Sequence, residues 1–179
     1  MIQKGRMKME KSQAEIEQMI LAFLAEHGED YFTCAIATLG SDGMVLNTPI
    51  DARNHGLNMY FSSDVGGKLE NMRRNPDVCL AVFIPVGKGY MKNARGLQMW
   101  GKAKILSFKE DPEEFQKAYD VIRVDEVALV STGHPFPSEM KPRLNLVKVV
   151  PERIAYFVSM GGPPAKYIWK AESHSPGNS

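Results

Sequence analysis

The sequence has few of the residues that build disulfide frameworks or metal centres. It holds two cysteines, Cys34 and Cys79, each in an apolar, strand-like run, with no C-x-x-C spacing. That excludes a disulfide scaffold and a thiolate zinc site. It predicts two buried free thiols in a reducing compartment, the cytoplasm. The four histidines (27, 55, 134 and 174) show no ligand spacing, so no metal is expected. Charge of neither sign dominates: the formal net charge is +1, which points to neither nucleic acid nor a membrane surface as a partner. No apolar run approaches the roughly 20 residues that span a bilayer. The basic start, MIQKGRMKMEKSQ, is followed by no apolar stretch, so no secretory signal is expected. Two nucleotide-binding signatures are also missing. There is no G-x-G-x-x-G. A Walker-type loop fails twice around Gly67-Lys68, where Ser62 stands in place of the first glycine and Leu69 in place of the Ser or Thr.

What is present is an ordinary globular composition, 44% hydrophobic and 24% charged, in a chain of 179 residues, a length that suits one domain spanning 1–179. A helix is predicted over about 12–27. Ser12 and Glu15 form an S-x-x-E capping box, and Ile16, Met19, Ile20, Phe23 and Leu24 recur on one face. The period then changes to two. Strands are predicted at 31–39, 44–53 and 57–63, joined by the turns Ser41-Asp42-Gly43 and Asn54-His55-Gly56 as two hairpins. Pro49 cannot donate to a ladder, so it marks an edge or a break in pairing. A short helix (about 66–74), a buried strand (78–85) and a long strand (95–107) follow. Asp111-Pro112 and Glu114 then start a further helix through a D-x-x-E box. GHPFPSEMKPR reads as a loop, LNLVKVV and RIAYFV as final strands separated by Pro151-Glu152, and the tail from about 160 as a loose arm. Six or seven antiparallel strands with inserted helices predict a mostly β, α+β fold built on a small barrel.

The most informative stretch is 58–76, NMYFSSDVGGKLENMRRNP. A strand ends in two hydroxyls, then come two glycines, a lysine and a helix that stops at Asn75-Pro76. One reading is a solvent-facing strand–turn–helix connection. The other is a phosphate seat: helix N-terminal N–H groups favour an anion, glycines let it approach, and Ser62, Ser63 and Lys68 can donate to it.

The order of these elements resembles the flavin mononucleotide (FMN)-binding split-barrel family related to pyridoxamine 5′-phosphate oxidase. The resemblance is carried by TPIDARNHGLNMYFSSDVGGKLENMRRNPDVCLAVF and GLQMWGKAKIL, over roughly residues 31–107, with the late strands around Lys148–Tyr156 also fitting. It implies a six-stranded antiparallel split β-barrel, a homodimer, and a flavin in a groove between subunits. Asn47, Thr48 and Pro49 would run along the flavin ring and ribityl chain. Phe61 would end the aromatic strand, Ser62, Ser63 and Lys68 would hold the phosphate, and Gln98 would reach the cofactor. FMN is the implied cofactor, with a deazaflavin or haem as alternatives in relatives of the fold. The family's oxidase has Arg where Leu46 stands, Lys where Asp51 stands, Arg where Gly67 stands, and an Arg-Leu-x-Pro ending where this chain has SPGNS. These departures predict that the chain does not oxidise pyridoxamine phosphate itself. The implied function is a flavin-dependent oxidoreductase acting on a small molecule, with no catalytic residue readable. The alternative is a non-catalytic flavin, deazaflavin or haem binder or sensor. Tyr90, Met91 and Trp100 are candidates for a substrate pocket wall.

Overall fold

The computed structural model describes residues 11–26, 32–83, 94–159 and 163–172. Tyr90, Met91 and the lysines at 88 and 92 lie outside the described residues. In chain order the elements are α1 (Gln13–Ala25), β1 (Phe32–Leu39), β2 (Val45–His55), β3 (Asn58–Ser62), α2 (Gly67–Arg74), β4 (Asp77–Phe83), β5 (Ala94–Leu106), α3 (Pro112–Val121), α4 (Val124–Thr132), β6 (Leu146–Ser159) and β7 (Ala165–Lys170). The strands form one antiparallel sheet in the order β3-β2-β1-β4-β5-β6-β7. A further pairing of β3 with β6 curves the sheet into a ring of six strands, with β7 added outside.

The ring opens at one place because β6 changes partner. Its start, Leu146–Val149, pairs with β3, while its end, Arg153–Val158, pairs with β7; β5 accompanies it throughout. The change coincides with a bulge, where Trp100 pairs with Arg153 but Gly101 pairs with Pro151. A bulge bends a strand and re-aims it. Gly101 is required there by space, since a Cβ would lie 2.1 Å from the Val150 carbonyl oxygen.

Apolar residues of alternate strand positions fill the ring. Ile36, Met59, Phe61, Leu80, Met99 and Val149 are among them, and all are fully buried. α1 adds Ile16, Ile20, Phe23 and Leu24, and α2 adds Leu69 and Met72. The Ser12–Glu15 capping box forms in both directions, at 3.2 Å (Glu15 N–H to Ser12 Oγ) and 2.8 Å (Ser12 N–H to Glu15 Oε2). A second cluster lies outside the ring, where α3 sets Phe115, Ala118, Tyr119 and Ile122 against Tyr60, Leu106 and Leu146. No helix of the described residues is long and apolar enough to cross a membrane.

Four expectations need correction. The two predicted final strands are one 14-residue strand, because Pro151 falls at the bulge and not at an ordinary ladder position. The tail is not loose over 165–170. Those residues pair with β6 and are locked to α1, where the Gln13 side chain donates to the Ile168 carbonyl and accepts from Lys170 N–H, and Trp169 Nε1 donates to Glu17. The box at Asp111 does not form, since Asp111 makes no side-chain cap and instead accepts from Lys104 Nζ at 3.0 Å. Residues 124–132, absent from the predicted elements, are helical as α4.

Candidate functional site

The open edge of β2 starts the site. β2 pairs with β1 along Val45–Ala52, but β3 joins β2 only at Arg53–His55 before leaving for β6. One edge of β2 from 45 to 52 is therefore unpaired with β3, and Pro49 sits there at no cost to a ladder.

Opposite that edge stands the start of α2. The helix is pinned from behind by buried Asn71, which donates to Thr38 Oγ1 at 3.1 Å, and by Arg74, which donates to the Leu39 carbonyl and to Asn71 Oδ1. Its front is open. The N-cap is Gly66 at φ +148°, a conformation that suits glycine, and no side chain caps the first turn. A Cβ at Gly66 would meet nothing within 4 Å, which leaves free space above the first N–H groups.

Between edge and helix lies a groove of about 430 Å³. Thr48, Pro49, Ser62 and Lys68 line it, together with the Gly66-Gly67 backbone. Leu46, Ile50, Asp51, Asp64 and Val65 complete its walls. Burial holds the Lys68 ammonium below its ordinary pKa, and Asp64 pulls the other way. Lys68 Nζ also lies 5.5 Å from the centre of the Phe61 ring, which is fully buried beneath it. Uncapped N–H groups, a hydroxyl and one ammonium converge on one groove whose Gly66-Gly67 floor carries no side chain. That donor set fits a phosphate monoester.

The other residues read from the sequence fall elsewhere. Ser63 is buried, its hydroxyl donating to the Asp64 carbonyl at 3.0 Å and its N–H to the Asn145 carbonyl at 2.9 Å. Asn47 is exposed on β2 and does not line the groove. Gln98 is exposed on β5 in a separate hollow of about 370 Å³, with Phe83 and Phe157. Trp100 is half-buried and covered by Arg153 of its own chain, 4.7 Å from the ring centre. Both cysteines are free; burial pushes the Cys34 thiol up to about 12 and raises Cys79, so neither is a ready nucleophile. Among the described residues no group of three or more His, Cys, Asp or Glu is placed to hold a metal.

A second cavity, of about 630 Å³, adjoins the groove and shares Asp51 and Ser62 with it. Its remaining wall is mostly apolar, from Ile122, α4, Phe136 and Leu144. The sequence reading missed it because it missed α4.

Comparison with known proteins places the fold. The family described as pyridoxamine 5′-phosphate oxidase matches residues 16–157. No curated protein matches the chain. Among solved structures, a pyridoxamine 5′-phosphate oxidase-related, FMN-binding protein of Nostoc punctiforme shares 14% identity at a TM-score of 0.63, covering 87% of this chain and 91% of its own. A haem-binding protein of Mycobacterium smegmatis shares 16% at 0.59, over 89% of this chain and 58% of its own. A FAD-binding protein of Mesorhizobium loti shares 17% at 0.53, over 69% and 84%. At these identities the likeness is one of fold.

Proposed function

Since the chain belongs to the pyridoxamine 5′-phosphate oxidase family, we propose that it binds FMN and acts as an oxidoreductase on a small molecule other than pyridoxamine phosphate. The observation that carries this reading is the convergence of Ser62, Lys68 and the uncapped start of α2 on one groove beside the open edge of β2. The phosphate would sit at the α2 N-terminus, with Thr48 and Pro49 beside the chain that leads to the ring. When bound, the flavin supplies the electron chemistry, which accounts for a site built of positioning groups. The chain's part is to bind, orient and exclude water. The difference from the family's oxidase lies in the charge of the groove, which carries one cation, Lys68, and two carboxylates, Asp51 and Asp64. A second anionic ligand beside the flavin phosphate would meet repulsion there.

We further propose a homodimer in which the second copy covers this groove. Support comes from exposed apolar side chains beside it: Leu39, Met44, Val45 and Leu46 at the β1–β2 hairpin end and Val65 in the turn before α2. Exposed apolar surface of this kind marks an association site. Sedimentation across a concentration series, with and without FMN, is the check: dilution should release flavin, and added flavin should oppose dissociation. A monomer with full flavin affinity would refute the shared groove.

The functional reading is tested by the visible absorption spectrum of the purified protein after FMN addition, followed by NADH or NADPH. The expected result is a bound oxidised flavin whose absorbance bleaches with one of the two donors. A bound flavin that neither donor reduces would support a binder or sensor instead, and no flavin binding would overturn the reading.

A further inference from the structure

α4 is an unusual helix within this fold. Its nine residues include none that is buried. A helix this short has little stability of its own and normally depends on packing. Two anchors hold it in place. Asp125 Oδ1 accepts from Tyr119 Oη at 2.6 Å and from Phe136 N–H at 3.1 Å, and Arg123 turns the chain between α3 and α4 with φ +51°. Both anchors are at its N-terminal end, and beyond them the helix borders the 630 Å³ cleft.

The cleft faces one side of α4. Val124, Val127, Ala128 and Ser131 line it, at helical spacing. Val130 and Leu129 do not line it. The Ser131 and Thr132 hydroxyls are turned back onto the helix, donating to the Val127 and Ala128 carbonyls at 2.8 Å each. Their protons are thus taken, and Asp51 is the charged member of the lining, with Ser62 beside it. These two residues also belong to the groove that holds Lys68. The site is thus continuous and asymmetric. One end offers a cation and N–H donors, and the other offers apolar side chains with one carboxylate at the junction.

We propose that the cleft under α4 is the substrate pocket of this site, and that its substrate is an uncharged or cationic apolar ring compound, not an anion. This rests on reading the adjoining groove as the flavin site. Small-molecule pockets of about 300–1,000 Å³ with mostly apolar walls and few polar groups are the common form of such sites. Volume and lining both agree with that form. Asp51 stands where an anionic ligand would meet repulsion and where a ligand N–H or O–H would find an acceptor. Val124 at the start of α4 packs against the Phe115–Tyr119 cluster, and a filled cleft would extend that packing to Val127 and Ala128.

The test uses the full chain with and without FMN, and the fluorescence of N-phenyl-1-naphthylamine, an uncharged aromatic probe. Its anionic counterpart, 1-anilinonaphthalene-8-sulfonate, serves as comparison. The expected result is saturable binding of the neutral probe, on the order of tenfold tighter than the anion. Binding should also slow amide exchange over 124–132. Ala128→Trp fills the cleft and should cost the neutral probe on the order of tenfold in affinity, with FMN binding kept. Ser131→Trp, at an exposed position, serves the same purpose if Ala128→Trp does not fold. Asp51→Asn should narrow the difference between the two probes. Neutral-probe affinity unchanged in both Trp variants overturns the proposal, as does a wild-type protein that prefers the anion or whose cleft is closed by a second copy. Loss of FMN binding in wild type, with the probe results as expected, defeats the flavin reading alone.

Discussion

The ammonium of Lys68 lies 5.5 Å from the centre of the Phe61 ring, so the last buried residue before the β3 turn seats the first cation of α2. The two residues are separated by the Ser62–Gly67 turn, and this contact ties its ends together. A cation–π contact contributes about 0.5–2 kcal/mol depending on desolvation. Phe61→Leu should therefore weaken FMN binding by about 2- to 30-fold, beyond any change in riboflavin binding. Isothermal titration with both ligands checks this; equal losses would mean that Phe61 acts only through core packing.

The same lysine makes FMN binding depend on pH. In the free protein, burial lowers the Lys68 pKa from its ordinary value near 10.5. A bound phosphate favours the charged form and raises it again. Affinity should therefore be full below the free-state pKa and fall as pH rises through it, flattening only above the pKa of the complex. The fall should begin below the range of an exposed lysine, and Lys68→Ala should remove it. An FMN affinity that rises with pH over this interval would contradict the assignment.

Gly101 is placed where β6 leaves β3 for β7. With a Cβ only 2.1 Å from the Val150 oxygen and 2.9 Å from Pro151 Cα, Gly101→Ala must push backbone apart at the bulge. Overpacking of this kind costs about 1–3 kcal/mol. Urea unfolding should show that loss. An unchanged midpoint would mean that the bulge can relax freely.

The parts of the fold that were legible in the sequence are those with local chemical causes. The Ser12–Glu15 box starts α1, the turns at Ser41–Gly43 and near Gly56 set the hairpins, and Pro49 announced an open edge. α4 carried no such signal. Arg123 in a left-handed conformation precedes it without a side-chain cap, and its sequence, VDEVALVST, is rich in β-branched residues that favour strands. The continuity of β6 was hidden because Pro151 reads as a stop unless the bulge is known. Within the site, Ser62 and Ser63 looked equivalent. Strand period could not separate them, because Met59, Tyr60 and Phe61 are all buried in β3, and only the structure shows Ser62 exposed and Ser63 buried. Asp51 stood out in the sequence only as a departure from the family's lysine, and Asp64 not as a site residue, because their importance lies in where the groove brings them, beside Lys68.

The central claim is that the turn between β3 and α2 holds the phosphate of FMN. Titration of wild type and Lys68→Ala with FMN and with riboflavin, which lacks the phosphate, tests it most directly. A hydrogen bond to a charged group contributes roughly 1.5–3 kcal/mol, so Lys68→Ala should cost FMN about 10- to 100-fold in affinity and leave riboflavin almost unchanged. Equal losses for the two ligands, or no loss for FMN, would contradict the account.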